Sequence, residues 1–141
     1  MKFWDASAIV PLLVREAPSE ALLGVLEHDP SMLVWWGSVV ECASAIARRQ
    51  RDGSLQTDHA RVALARLQAL AGAWLEVLPS NAVRGHAQRA LRLHPLRAAD
   101  SLQLAAALVA AEHQPATLAF VCLDERLNEA AAREGFEVIR A

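Results

Sequence analysis

Cysteine is scarce: Cys42 and Cys122 are the only two in 141 residues. That excludes a disulfide framework, and their spacing is not that of a thiolate zinc site. A reducing, cytoplasmic setting is the expectation. Lysine is scarcer still, since Lys2 is the only one and the other 13 of the 14 basic residues are arginine. Abundant alanine accompanies that bias, and both follow from the base composition of the source genome. There is no excess of positive charge either. A formal net charge of −2 excludes a polycation that coats nucleic acid without specificity, so any polynucleotide must be held locally. No apolar run approaches the roughly 18 residues of a membrane span. In the stretch from Met1 to Val14, Asp5 interrupts the apolar residues, and Arg15 and Glu16 close it before signal-peptide length is reached. No membrane association is expected. Internal repeats and low-complexity linkers are absent, so residues 1–141 are expected to form one continuous domain.

What is present is the composition of a compact domain, 54% hydrophobic and 21% charged. Pro18, Pro30, Gly53, Pro79, Pro95, Pro115 and Gly135 divide the chain into blocks of element size. Short apolar runs predict strands at Lys2 to Asp5, Met32 to Trp35, Trp74 to Leu78, Leu118 to Leu123 and Phe136 to Ile139. Helices are predicted over Ala8 to Val14, Ser19 to Glu27, Val39 to Arg51, Asp58 to Ala73, Asn81 to Leu91, Ala98 to Glu112 and Glu125 to Glu134, with Pro11 straining the first. In the third, Ser38 is placed as N-cap, and Val39, Val40, Ala43, Ile46 and Ala47 form a core-facing stripe. The block from Ala98 is apolar nearly all round and is expected to be central and buried. Alternating strands and helices predict an α/β fold, a mainly parallel sheet of about five strands flanked by helices. Ligands then bind beyond the carboxyl ends of the strands.

Four carboxylates stand at such positions: Asp5 after the first strand, Glu41 near the start of the third helix, Asp100 opening the buried helix, and Asp124 after the fourth strand. Each alone has a structural reading, because an acid in a first helical turn is stabilised by the free amides there. Ser38-Val-Val-Glu41 even spells a capping box. Together they mean more, since a parallel sheet brings its strand ends to one edge. Two carboxylates about 4 Å apart repel by roughly 4 kcal/mol at an effective dielectric of 20, so a group of four calls for protons or a hard cation. Oxygen ligands suit Mg²⁺ or Mn²⁺, and such a site does phosphodiester chemistry.

The order of motifs carries a resemblance. Phe3-Trp4-Asp5-Ala6-Ser7-Ala8-Ile9-Val10, Val14-Arg15-Glu16, Glu41 in its Ser-Val-Val-Glu step, Leu96 through Ala105 around Asp100, and Leu123-Asp124-Glu125-Arg126-Leu127 with Gly135-Phe136 span nearly the whole chain. In that order they resemble the PIN-domain nucleases, and more narrowly the VapC-type toxins of bacterial toxin-antitoxin pairs. The resemblance implies a single PIN-like nuclease domain over residues 1–141, hydrolysing RNA with Mg²⁺ or Mn²⁺. It implies that Asp5 and Asp100 are metal ligands, Asp124 a third acid near the metal, Glu41 an acid that holds or activates water, and Ser7 a hydrogen-bonding support. It further implies a cognate antitoxin and a homodimer, for which the apolar composition leaves surface. Two positions depart from the family pattern: Cys122, where threonine or serine is frequent, and Gln103, where histidine is frequent.

Arg48 and Arg49 share roughly the face of Glu41 and, with Arg97 one turn before Asp100, are candidates to hold RNA phosphates. Trp35 and Trp36 are expected in core or dimer packing, with base stacking as the alternative. The five histidines, His28, His59, His86, His94 and His113, are expected at the surface or in loops, and the two cysteines as buried, unreactive thiols. Two other readings stand beside the nuclease: a PIN-like binding module without turnover, and an aspartate-dependent phosphatase. The phosphatase usually needs a second aspartate where Ser7 stands.

Overall fold

A computed structural model describes residues 1–141. All five expected strands form, each at or inside its expected span: β1 Lys2–Trp4, β2 Met32–Trp35, β3 Leu75–Val77, β4 Ala119–Val121 and β5 Glu137–Ile139. Seven α-helices separate them: α1 Ala6–Leu13, α2 Ser19–His28, α3 Ser38–Arg51, α4 Thr57–Ala71, α5 Asn81–Leu93, α6 Ala98–Ala110 and α7 Glu125–Glu134. A single 3₁₀ turn at Pro115–Thr117 precedes β4. No helix is long and apolar enough to cross a membrane.

Every strand pairing is parallel, in the order β3-β2-β1-β4-β5. The chain builds outward from β1 to β3 on one side, then crosses back to lay β4 and β5 on the other. The strand order therefore reverses between β1 and β4, and in open α/β sheets that reversal is where the strand ends leave a crevice.

Successive side chains of a strand face opposite ways, and β1 and β4 use this to seed two cores. Phe3 and Phe120 pair in register and stack with ring centroids 5.3 Å apart, on the face covered by α5, α6 and α7. Trp4 and Val121, the next pair in register, face the layer made by α1, α2, α3 and α4. Because α6 packs into the middle of the first layer, its residues from Leu104 to Leu108 are all buried, as the apolar periphery of that helix led one to expect.

Helix α1 begins two residues earlier than expected because Asp5, not a later residue, is its cap, accepting from the Ser7 amide. It runs through Pro11 and ends soon after, at Leu13, while the Pro11 carbonyl accepts a 2.7 Å hydrogen bond from Ser19 Oγ. Three expectations are corrected. Ser38 is not the N-cap of α3; Gly37 is, with no side-chain cap, so the capping box does not form. Val40 is 66% exposed; of the expected stripe Ile46 is buried and Val39, Ala43 and Ala47 are half-buried, with Ser38 and Cys42 completing the buried face. His94 is buried, with its Nε2 2.8 Å from Glu134 Oε2, while Arg89 holds the other carboxylate oxygen; together they tie the end of α5 to the end of α7.

Helix α7 ends at Gly135, whose φ of +105° lies in the left-handed region, and a Cβ there would meet Pro115 Cγ at 3.1 Å. Gly135→Ala is expected to destabilise the protein by about 1–2 kcal/mol, read as a lowered urea midpoint with an unchanged slope. A midpoint equal to wild type would mean that the backbone relaxes freely at this corner.

Candidate active site

The four acids arrive at one edge of the sheet by four separate routes. Asp5 follows β1 and caps α1, Glu41 sits in the first turn of α3, Asp100 in the first turn of α6, and Asp124 follows β4 and caps α7 by accepting from the Leu127 amide. Asp5 and Asp124 thus flank the point where strand order reverses. A cleft of about 1150 Å³ opens there, lined by Ser7, Glu41, Asp100 and Asp124 among others. Asp5 is 4% exposed and lies out of the lining, with Ala6 and Ser7 of its own helical turn facing the cleft.

The support beneath Asp5 is specific. Its Oδ2 accepts from the Ser7 amide at 3.0 Å and the Ser7 hydroxyl at 2.5 Å, and the Cys122 thiol lies 3.5 Å from the same oxygen. Ser7 Oγ in turn accepts from the Leu123 amide at 3.0 Å, which joins the end of β1 to the end of β4. The Ser7 and Cys122 contacts all reach Oδ2, and no protein donor holds Oδ1. The phosphatase reading lacks its second aspartate, since Ser7 stands there and is occupied with Asp5 and the Leu123 amide.

Gln103 holds Glu41. Its Nε2 donates to Ser38 Oγ at 2.9 Å and to Glu41 Oε1 at 3.2 Å from a fully buried position on α6. Cys122 and Gln103 therefore touch the acids directly. The sequence flags both as departures from a family pattern, but it gives no sign of their contacts, which join residues 65, 62 and 117 positions apart.

Burial is the first cause of the shifted acidities. It raises Asp5 above the ordinary carboxyl range against the Ser7 and Cys122 hydrogen bonds, with Asp124 adding repulsion. It pushes Glu41 up to about 7, with repulsion from Asp5 and Asp100 added and the Gln103 hydrogen bond opposing. Asp100 is raised by burial and by Asp124 and Asp5, against Arg97. Each of these three acids feels at least one of the others, which is the electrostatic signature of a cluster. Burial also raises both thiols, Cys42 to about 12, so neither is a thiolate near neutral pH.

No three His, Cys, Asp or Glu side chains come together at metal-ligating separation. Glu41, Asp100 and Asp124 share the cleft without forming an assembled cage. That donor set fits Mg²⁺ or Mn²⁺, which keep waters and lean on one or two carboxylates, and Asp5 Oδ1 is free of protein donors to serve. It does not fit the closed shell of a structural zinc ion.

Among the candidate phosphate holders, Arg49 is committed to Glu16 at 2.5 Å and to the Ala45 carbonyl. Arg48, Arg97 and Arg49 itself line the cleft, and so does Arg126, which sequence reasoning passed over although it lies two residues from Asp124. The ion-paired arginines of the structure are others: Arg49, Arg61, Arg89 and Arg140. Both tryptophans line the cleft, but Trp35 is buried while Trp36 is 52% exposed.

No protein-family model matches the sequence, and no curated protein is significantly similar to it. Solved structures do match. FitAcB from Neisseria gonorrhoeae superposes over 99% of this chain and 96% of its own, with a TM-score of 0.68 and 19% identity. FitAB bound to an IR36 DNA fragment covers 99% of this chain and 94% of its own, with a TM-score of 0.68 and 18% identity. The chain has this PIN-like α/β fold. At such identity the likeness concerns the backbone, and the roles of side chains rest on the local geometry.

Proposed function

We propose that this chain is a metal-dependent endoribonuclease that acts as the toxin of a toxin-antitoxin pair, with residues 1–141 forming one nuclease domain in the cytoplasm. The observation that carries the reading is that Glu41, Asp100 and Asp124 line one cleft beside the strand-order reversal, with buried Asp5 near enough to repel Glu41 and Asp100.

In this reading Asp5 and Asp100 hold a Mg²⁺ or Mn²⁺ ion, with Asp124 beside them. When bound, the ion supplies Lewis-acid chemistry: it neutralises charge on the scissile phosphate and acidifies water. The protein residues do the rest. Ser7 fixes the Asp5 carboxylate through Oδ2, and Gln103 fixes Glu41. Glu41, held by Gln103 on the wall of the cleft, is the group placed to take a proton from attacking water. Arg48, Arg97 and Arg126 set the RNA backbone across the cleft. Exposed Leu75, Leu78, Leu91 and Leu93 leave apolar surface for a second copy and for an antitoxin.

End-labelled RNA incubated with the protein and Mg²⁺ or Mn²⁺ is expected to be cut internally, and to stay intact in excess chelator. Equal cutting with and without chelator would replace the metal reading with a metal-independent one.

A further inference from the structure

Trp36 is where the sequence expectation and the structure diverge most usefully. A tryptophan pair at the end of a core strand should be buried on both sides, yet only Trp35 is, at 7% exposure against 52% for Trp36. The local cause is visible. Side chains alternate as the strand ends, and Gly37 leaves the space that the Trp35 indole fills, since a Cβ there would come 2.6 Å from Trp35 Nε1. Trp36 is left standing just beyond β2, the strand next to β1, at the same edge that carries the acids.

The cleft is therefore two-sided in chemistry. Trp36 and the 66% exposed Val40 supply an apolar part, while Arg48, Arg97 and Arg126 supply unpaired cations around Glu41, Asp100 and Asp124. A nucleic acid strand has the matching pair of chemistries, flat apolar base faces and anionic phosphates. In a duplex the base faces are already stacked on their neighbours, so an indole gains them only from an unpaired strand. We infer that Trp36 is a base-stacking platform, placing an unpaired base beside the phosphate presented to the acids. This rests on the nuclease reading for its substrate, and it adds the residue that holds the base.

The other three tryptophans, Trp4, Trp35 and Trp74, are 0%, 7% and 7% exposed, so Trp36 is the indole that a ligand can reach. Intrinsic fluorescence of the wild-type protein, in chelator to prevent cutting, is to be titrated with a single-stranded oligoribonucleotide, its duplex, and an abasic strand of equal charge. Quenching by the single strand alone is expected. Trp36→Ala is expected to weaken single-strand binding about 5- to 100-fold, with Trp36→Phe restoring much of it and Trp36→Leu little, a split that apolar packing alone would not produce. With metal present, Trp36→Ala is expected to raise KM for a single-stranded substrate and leave kcat nearly unchanged.

Equal quenching by duplex or abasic strand, or unchanged binding by Trp36→Ala, would overturn the inference while leaving the nuclease assignment standing if cutting persists. Quenching on raising protein concentration without RNA would overturn it in favour of a second copy seated on Trp36. Selective single-strand quenching in a protein that never cuts RNA would keep the platform and remove the nuclease.

Discussion

Asp5→Asn and Asp100→Asn are each expected to lower RNA cleavage by about 100-fold or more while leaving the fold intact. The reason lies in what asparagine keeps and removes. At Asp5 the amide oxygen can still accept from the Ser7 amide and hydroxyl, so the α1 cap and the link through Ser7 to Leu123 persist. What disappears is the charge, and with it most of the attraction for a hard cation. Asp100 is half-buried at the head of α6 and is raised by burial and by Asp124 and Asp5, so neutralising it also relieves repulsion in the metal-free protein. Thermal midpoints of both variants without metal are therefore expected to equal or exceed wild type. Cleavage at wild-type rate by both purified variants, under matched Mg²⁺, would remove the metal-site assignment.

The metal-free protein is expected to lose stability as pH rises from about 4.5 to about 7, and Glu41→Gln to abolish much of that loss. Glu41 titrates at about 7 in the folded chain and at an ordinary 4.5 when unfolded. Between those values the folded state holds a proton that the unfolded state has released, so raising the pH favours unfolding. Above the folded value the penalty is complete. Glu41 is only half-buried, and with solvent screening the penalty is about 1–2 kcal/mol. Asp5 and Asp100, also raised, act with the same sign. Asp29 and Asp52 are held below the ordinary carboxyl range, so their opposite effect falls at lower pH. His86, lowered first by burial, also opposes the trend below its ordinary 6.5. Comparing wild type with Glu41→Gln isolates the Glu41 part: the variant should be more stable at pH 8 and equal at pH 4. Parallel stability curves for the two proteins would place Glu41 in ordinary solvent.

How far these acids can be read from sequence depends on which element carries them. Asp5 and Asp124 follow apolar strands and precede helices, and both features survive translation into structure because period-2 and period-3.6 patterns are local. Asp100 is legible for a related reason, since a carboxylate heading an apolar helix stands out. Glu41 was obscured by a pattern that also spells a capping box. The box fails because Gly37 takes the cap and Ser38 turns inward to accept from Gln103, a contact across 65 residues of sequence. The same long-range packing hides the role of Cys122 and the burial of His94 against Glu134. Trp35 and Trp36 are alike in sequence, and only the space at Gly37 separates their fates.

The central claim, that the acids at the carboxyl edge of the sheet form one cation site, is tested most directly by titrating Mn²⁺ into the purified protein and following the free-ion signal by electron paramagnetic resonance. The wild-type chain is expected to suppress the signal until its site is filled, and the Asp5→Asn, Asp100→Asn double variant to leave the signal rising from the first addition. A wild-type titration that rises from the first addition, like that of the double variant, would contradict the account.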